Sequence, residues 1–84
     1  LRTSHKQSLL QAIDSLEKVP VEFRDISSIT MAINANKIND AKKLIRKFRR
    51  DLASLVERGP RNEVYNLNIQ LVPVTQLNKR SLLS

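Results

Sequence analysis

The chain has 84 residues, with 15 Lys and Arg against 8 Asp and Glu, a formal charge of +7, and a pI near 10.4. It carries no cysteine, one histidine and one glycine. That excludes a disulfide framework, a thiolate or multi-histidine metal centre, and a glycine-rich phosphate loop. No apolar run approaches the ~18 residues of a membrane span, and no signal peptide is recognisable, so a cytoplasmic protein without a membrane partner is expected. The length suits one domain over residues 1–84, expected to bury ~60–65% of the surface its unfolded chain exposes. A first residue of Leu1 rather than Met suggests a piece of a longer protein.

Residues 4–18 predict a helix. Leu9, Ala12, Ile13 and Leu16 recur at three-four spacing, Ser4 and Gln7 match a capping box, and Pro20 ends the run. Residues 24–33 predict a strand, because β-branched residues are dense and Ile29, Met31 and Ile33 alternate with Ser28, Thr30 and Ala32. Asn34 or Asn36 can then cap the next helix by accepting from its free amides.

Residues 36–58 predict a long helix on which Ile38, Ala41, Ile45, Phe48, Leu52, Leu55 and Val56 form one apolar stripe. Gly59-Pro60 stops it, the glycine standing where a left-handed cap is usual. In residues 63–72, Tyr65, Leu67, Ile69 and Leu71 alternate with Asn66, Asn68 and Gln70, the pattern of a second strand that ends near Pro73. The ordered core therefore spans about residues 4–75, and 76–84 read as a tail.

The order helix, strand, long helix, strand implies an α+β two-layer sandwich with parallel strands and a right-handed crossover. Two strands make a poor sheet, so the expectation is a ferredoxin-like half whose small sheet is completed by a second copy of the chain. The alternative is strands supplied by the rest of the parent protein.

The charge is concentrated. Residues 1–34 balance, whereas 35–58 hold eight cations against three acids. Lys42, Lys43, Arg46, Lys47, Arg49 and Arg50 spread over about 160° of the long helix outside the apolar stripe. Such an arc can neutralise phosphates or meet an acidic partner, but it is more often a solvated face, and no aromatic side chains interleave with it to stack on bases. Arg24, Asp25, Ser27 and Thr30 form a polar cluster at the start of the first predicted strand. They could meet a small anionic effector, although local ion pairing and turn hydrogen bonds are the commoner use of such residues. Tyr65, Asn66, Asn68 and Gln70 line the second predicted strand and could face either water or a partner chain. His5 has no recognisable nucleophile or orienting carboxylate. No catalytic set, metal site or cofactor is expected.

Several segments together resemble a known family. They are His5-x-Gln7, Arg24-Asp25-Ile26-Ser27 with Thr30, Ile45-Arg46-x-Phe48-Arg49, and Val64-Tyr65-x-Leu67-Asn68 with Pro73. In this order and spacing they resemble the C-terminal domain of a paralogous family of bacterial proteins described as transcription regulators. In that family a helix-turn-helix type region precedes a domain of unknown function. Val72 before Pro73, where an aromatic is expected, and Ser8-Leu9, where a bulkier apolar residue usually precedes the leucine, depart from the pattern. The resemblance implies that DNA is read by an upstream module absent from this chain. The chain itself would then be a homodimerisation or signal-receiving domain for an effector of unknown identity. Direct nucleic-acid binding by the basic helix face is the alternative.

Overall fold

A computed structural model describes residues 2–75. Helix α1 spans Arg2–Lys18 and helix α2 spans Ile38–Val56. Short 3-10 turns at Val21–Phe23 and Ala35–Lys37 lead out of α1 and into α2. Residues 24–34 and 60–74 are irregular.

Helix α1 starts two residues before the expected boundary, so Ser4 lies inside the first turns rather than at a cap. It ends where Pro20 requires. The Val19 amide still donates to the Ser15 carbonyl at 3.0 Å, and a tight turn follows in which the Phe23 amide donates to the Pro20 carbonyl. The Arg24 side chain then folds back, its Nε donating to the Val19 carbonyl at 2.8 Å and Nη2 to the Leu16 carbonyl at 3.4 Å. A guanidinium here satisfies carbonyls left without intrahelical donors and opposes the negative end of the helix dipole.

At the other helix, the Asn34 side chain accepts from the Asn36 amide at 3.0 Å, and the Lys37 amide donates to the Asn34 carbonyl at 2.9 Å. Asn34 thus initiates the 3-10 turn on which α2 is built. Nineteen residues give α2 a length of about 28 Å. Gly59 adopts φ +76°, the left-handed conformation anticipated after the helix end.

The expected α+β fold is incorrect. Among the described residues there is no strand and no sheet, and both segments assigned to strands, 24–33 and 63–72, are irregular. The ferredoxin-like half falls with them. β-branched density and strict alternation report how side chains distribute about a segment, but a ladder also needs a backbone neighbour. Segment 60–74 finds side-chain partners instead. Asn68 Nδ2 donates to the Ser8 carbonyl at 3.3 Å, Asn66 Nδ2 to Gln11 Oε1 at 3.3 Å, and the Tyr65 hydroxyl to the Phe23 carbonyl at 2.8 Å. The two asparagines, two positions apart, meet α1 residues three positions apart.

Burial is correspondingly thin. No described residue is buried. On α1 the better-covered face is Ser8, Ala12, Ser15 and Val19, displaced from the expected Leu9–Ile13–Leu16 stripe. Segment 60–74 reaches this side at the Ser8 carbonyl, through Asn68. On α2 the half-buried residues are Ile38, Ala41, Ile45 and Leu52.

Candidate functional site

The apolar stripe of α2 divides into two rows. Ile38, Ala41, Ile45, Phe48, Leu52 and Leu55 follow alternating three- and four-residue steps, so Ile38, Ile45 and Leu52 form one row at seven-residue spacing and Ala41, Phe48 and Leu55 the other. The first row is half-buried against the chain itself. In the second, Phe48 is 52% and Leu55 59% exposed, and Leu44 on the same flank is 68% exposed. Ala41 of this row is half-buried, and the three large side chains beside it form an apolar edge that the chain leaves largely exposed.

The basic arc occupies the opposite flank. Of its six cations, only Lys47 forms an ion pair among the described residues, to Asp51 at 2.7 Å. Lys42, Lys43, Arg46, Arg49 and Arg50 have none. At 100° per residue Arg49 lies about 20° from Ile38, directly beside the half-buried row, while the other five sit farther round. This position sets it apart.

Arg49 reaches a cleft of about 300 Å³ between α2, the first turns of α1 and segment 60–74. His5 and Leu9 contribute from α1, and Leu67, Asn68, Ile69 and Gln70 close it. The asparagine is fixed by its bond to the Ser8 carbonyl. A second hollow of about 350 Å³ lies alongside, lined by Leu9, Ala12, Ile13, Leu16, Ile26 and Gln70. Leu9 and Gln70 line both, so they adjoin. Neither wall contains a carboxylate.

The remaining expectations distribute differently. Arg24 is engaged at the end of α1, and Asp25, Ser27 and Thr30 are exposed and make no side-chain hydrogen bond among the described residues. The structure therefore does not assemble the four into a pocket. Asn66 and Asn68 each donate to a group of α1 while Asn66 stays exposed, the Tyr65 hydroxyl donates to the Phe23 carbonyl, and Gln70 lies at the junction of the two hollows. His5 and Leu9 were not singled out together by sequence reasoning. Their juxtaposition with Arg49 depends on tertiary placement, and only the i, i+4 spacing of His5 and Leu9 on one helix face hinted at it. No cluster of three or more metal-ligating side chains occurs among the described residues. No described helix is long and apolar enough to cross a membrane. The tail expected over residues 76–84 lies outside the described residues.

Comparison with known proteins gives one family assignment. No curated protein and no solved structure matches the chain. The family model for the domain of unknown function DUF4423 matches residues 1–74, nearly all of the sequence and the whole span from α1 through segment 60–74. The chain belongs to the DUF4423 family.

Proposed function

We propose that this chain is a non-enzymatic interaction domain, serving dimerisation and signal reception, of a bacterial DNA-binding transcription regulator. One observation carries the interaction reading: the Leu44–Phe48–Leu55 flank of α2 lies open on a chain with no buried residue among those described. Large apolar side chains left in water on an amphipathic helix are the usual material of a helix–helix interface. The regulator context comes from the resemblance of the Arg24–Ser27, Ile45–Arg49 and Val64–Asn68 runs to domains that follow a helix-turn-helix type region. In that arrangement a two-fold pairing would set two upstream DNA-reading modules at half-site spacing.

Light scattering on the size-fractionated chain tests this. A dimeric mass is expected, with Phe48→Glu converting it to a monomer of unchanged helical content. A monomeric wild-type chain at high concentration would overturn it.

A second reading is direct nucleic-acid binding by the basic arc, favoured by the five cations that lack ion-pair partners among the described residues. It expects duplex binding that falls steeply with salt and weakens when Lys43, Lys47 and Arg50 are reversed to Glu. Absence of any anisotropy change with duplex DNA at low salt would remove it.

A further inference from the structure

The two adjoining hollows differ in chemistry in a way that specifies a ligand. One end presents the Arg49 guanidinium, free of ion pairs among the described residues, in a wall that also holds His5 and Asn68. The other end presents Ala12, Ile13, Leu16 and Ile26. Leu9 and Gln70 belong to both walls, so the hollows join along α1. From Leu9 to Leu16 the helix rises about 10 Å. The combined trough thus holds a fixed cation with His5 and Asn68 at one end, is apolar from Leu9 to Leu16 at the other, and has no carboxylate among its described lining residues. Each hollow alone has the volume of a small-ligand site.

We infer that this trough binds a free, unbranched amphiphile of medium chain length with an anionic head, the head at Arg49 and the acyl chain lying along Leu9, Ile13 and Leu16. A guanidinium suits a carboxylate, and a fixed positive charge disfavours an uncharged or cationic head. The chain would cover apolar surface of α1 that the protein leaves exposed. This rests on the signal-receiving part of the proposed function, for which it names the ligand class; the dimer-forming flank of α2 is a different surface.

The test is a titration of the chain with decanoate below its micelle concentration, followed by amide chemical shifts. Decan-1-ol serves as the neutral-head control, butyrate as the short-chain control, and anionic phospholipid vesicles as the membrane-surface control. Saturable decanoate binding is expected, at least tenfold tighter than decan-1-ol or butyrate, with shifts centred on Leu9, Ile13 and Arg49. Arg49→Gln should abolish the preference for acid over alcohol, and Ile13→Asn should weaken both. Arg50→Gln, outside the trough, should change neither, with helical content matched across variants by circular dichroism. Equal affinity for decanoate and decan-1-ol, an unchanged preference in Arg49→Gln, or binding of vesicles without decanoate would overturn the inference. Light scattering of the same samples reads the oligomeric state separately, so loss of decanoate binding in an intact dimer would refute the ligand and spare the interface.

Discussion

The Arg24 guanidinium closes the C-terminal end of α1 by donating from Nε to the Val19 carbonyl at 2.8 Å, five residues back across the Pro20 turn. Its Nη2 reaches the Leu16 carbonyl as well, at 3.4 Å. A residue that resembled part of a ligand cluster in the sequence thus serves the helix. Arg24 is half-buried, so the charge-assisted bonds are partly shielded from water. Arg24→Ala should destabilise the chain by about 1–2 kcal/mol, the combined scale of a hydrogen bond to a charged group and a helix-end charge effect. Arg24→Lys should recover only part of it. Urea unfolding followed by circular dichroism at 222 nm reads both, and an unchanged midpoint in Arg24→Ala would disprove the capping role.

Gly59 presents a cleaner backbone case. Its φ is +76°, and nothing lies within 4 Å of where a Cβ would stand. Any cost of Gly59→Ala is therefore conformational rather than steric against neighbours. A loss of about 1 kcal/mol is expected, since an L-residue pays to enter the left-handed region. A neutral or stabilising result in the same urea experiment would count against the left-handed cap.

The Lys47–Asp51 pair invites a contrary expectation. Its Nζ–Oδ2 distance is 2.7 Å, yet the two side chains are 65% and 64% exposed. Solvent screening and the entropy of two long side chains leave such i, i+4 pairs worth about 0.3–0.5 kcal/mol. Asp51→Asn should lower the thermal midpoint by no more than about 4 °C at moderate salt. A larger drop would mean that Asp51 contributes something beyond this pair.

Asn68 joins segment 60–74 to α1 through the Ser8 carbonyl, and Asn66 joins it through Gln11. Replacing both by Ala should release the segment without dissolving either helix. Helical ellipticity should stay within a few per cent of wild type, while limited proteolysis between Val64 and Val72 accelerates several-fold. Equal cleavage rates would show that the amides do not hold the segment.

Much of the helical framework was readable from sequence because each signal is local. The three-four spacing of α2, the Asn34 turn before it and the left-handed Gly59 after it each depend on residues within one or two turns. The strands were misread because alternation in residues 63–72 identifies two faces without saying what lies opposite either one. Alternation left open whether Asn66 and Asn68 face water or a partner chain, and the Ser8 carbonyl and Gln11 that accept from them lie more than 50 residues away in sequence. The basic arc was visible as six residues, but the separate position of Arg49 beside the Leu9 cleft required the relative placement of both helices and segment 60–74. Similarly, Arg24 and Asp25 are adjacent in sequence, yet only Arg24 has a structural partner among the described residues, and it lies upstream.

The bond from Asn68 to the Ser8 carbonyl also sets an order of events in folding. It closes a span of 60 residues, and the Asn66–Gln11 bond closes one of 55. Bringing such distant points together costs roughly 3–4 kcal/mol of chain entropy beyond a constant closure term. Helix formation, by contrast, completes within about a microsecond from local contacts alone. The two helices can therefore form and fray many times before segment 60–74 arrives. Docking of that segment is expected to follow helix formation, and its loss ahead of the helices on unfolding would dismantle the Arg49 cleft while α2 is still helical.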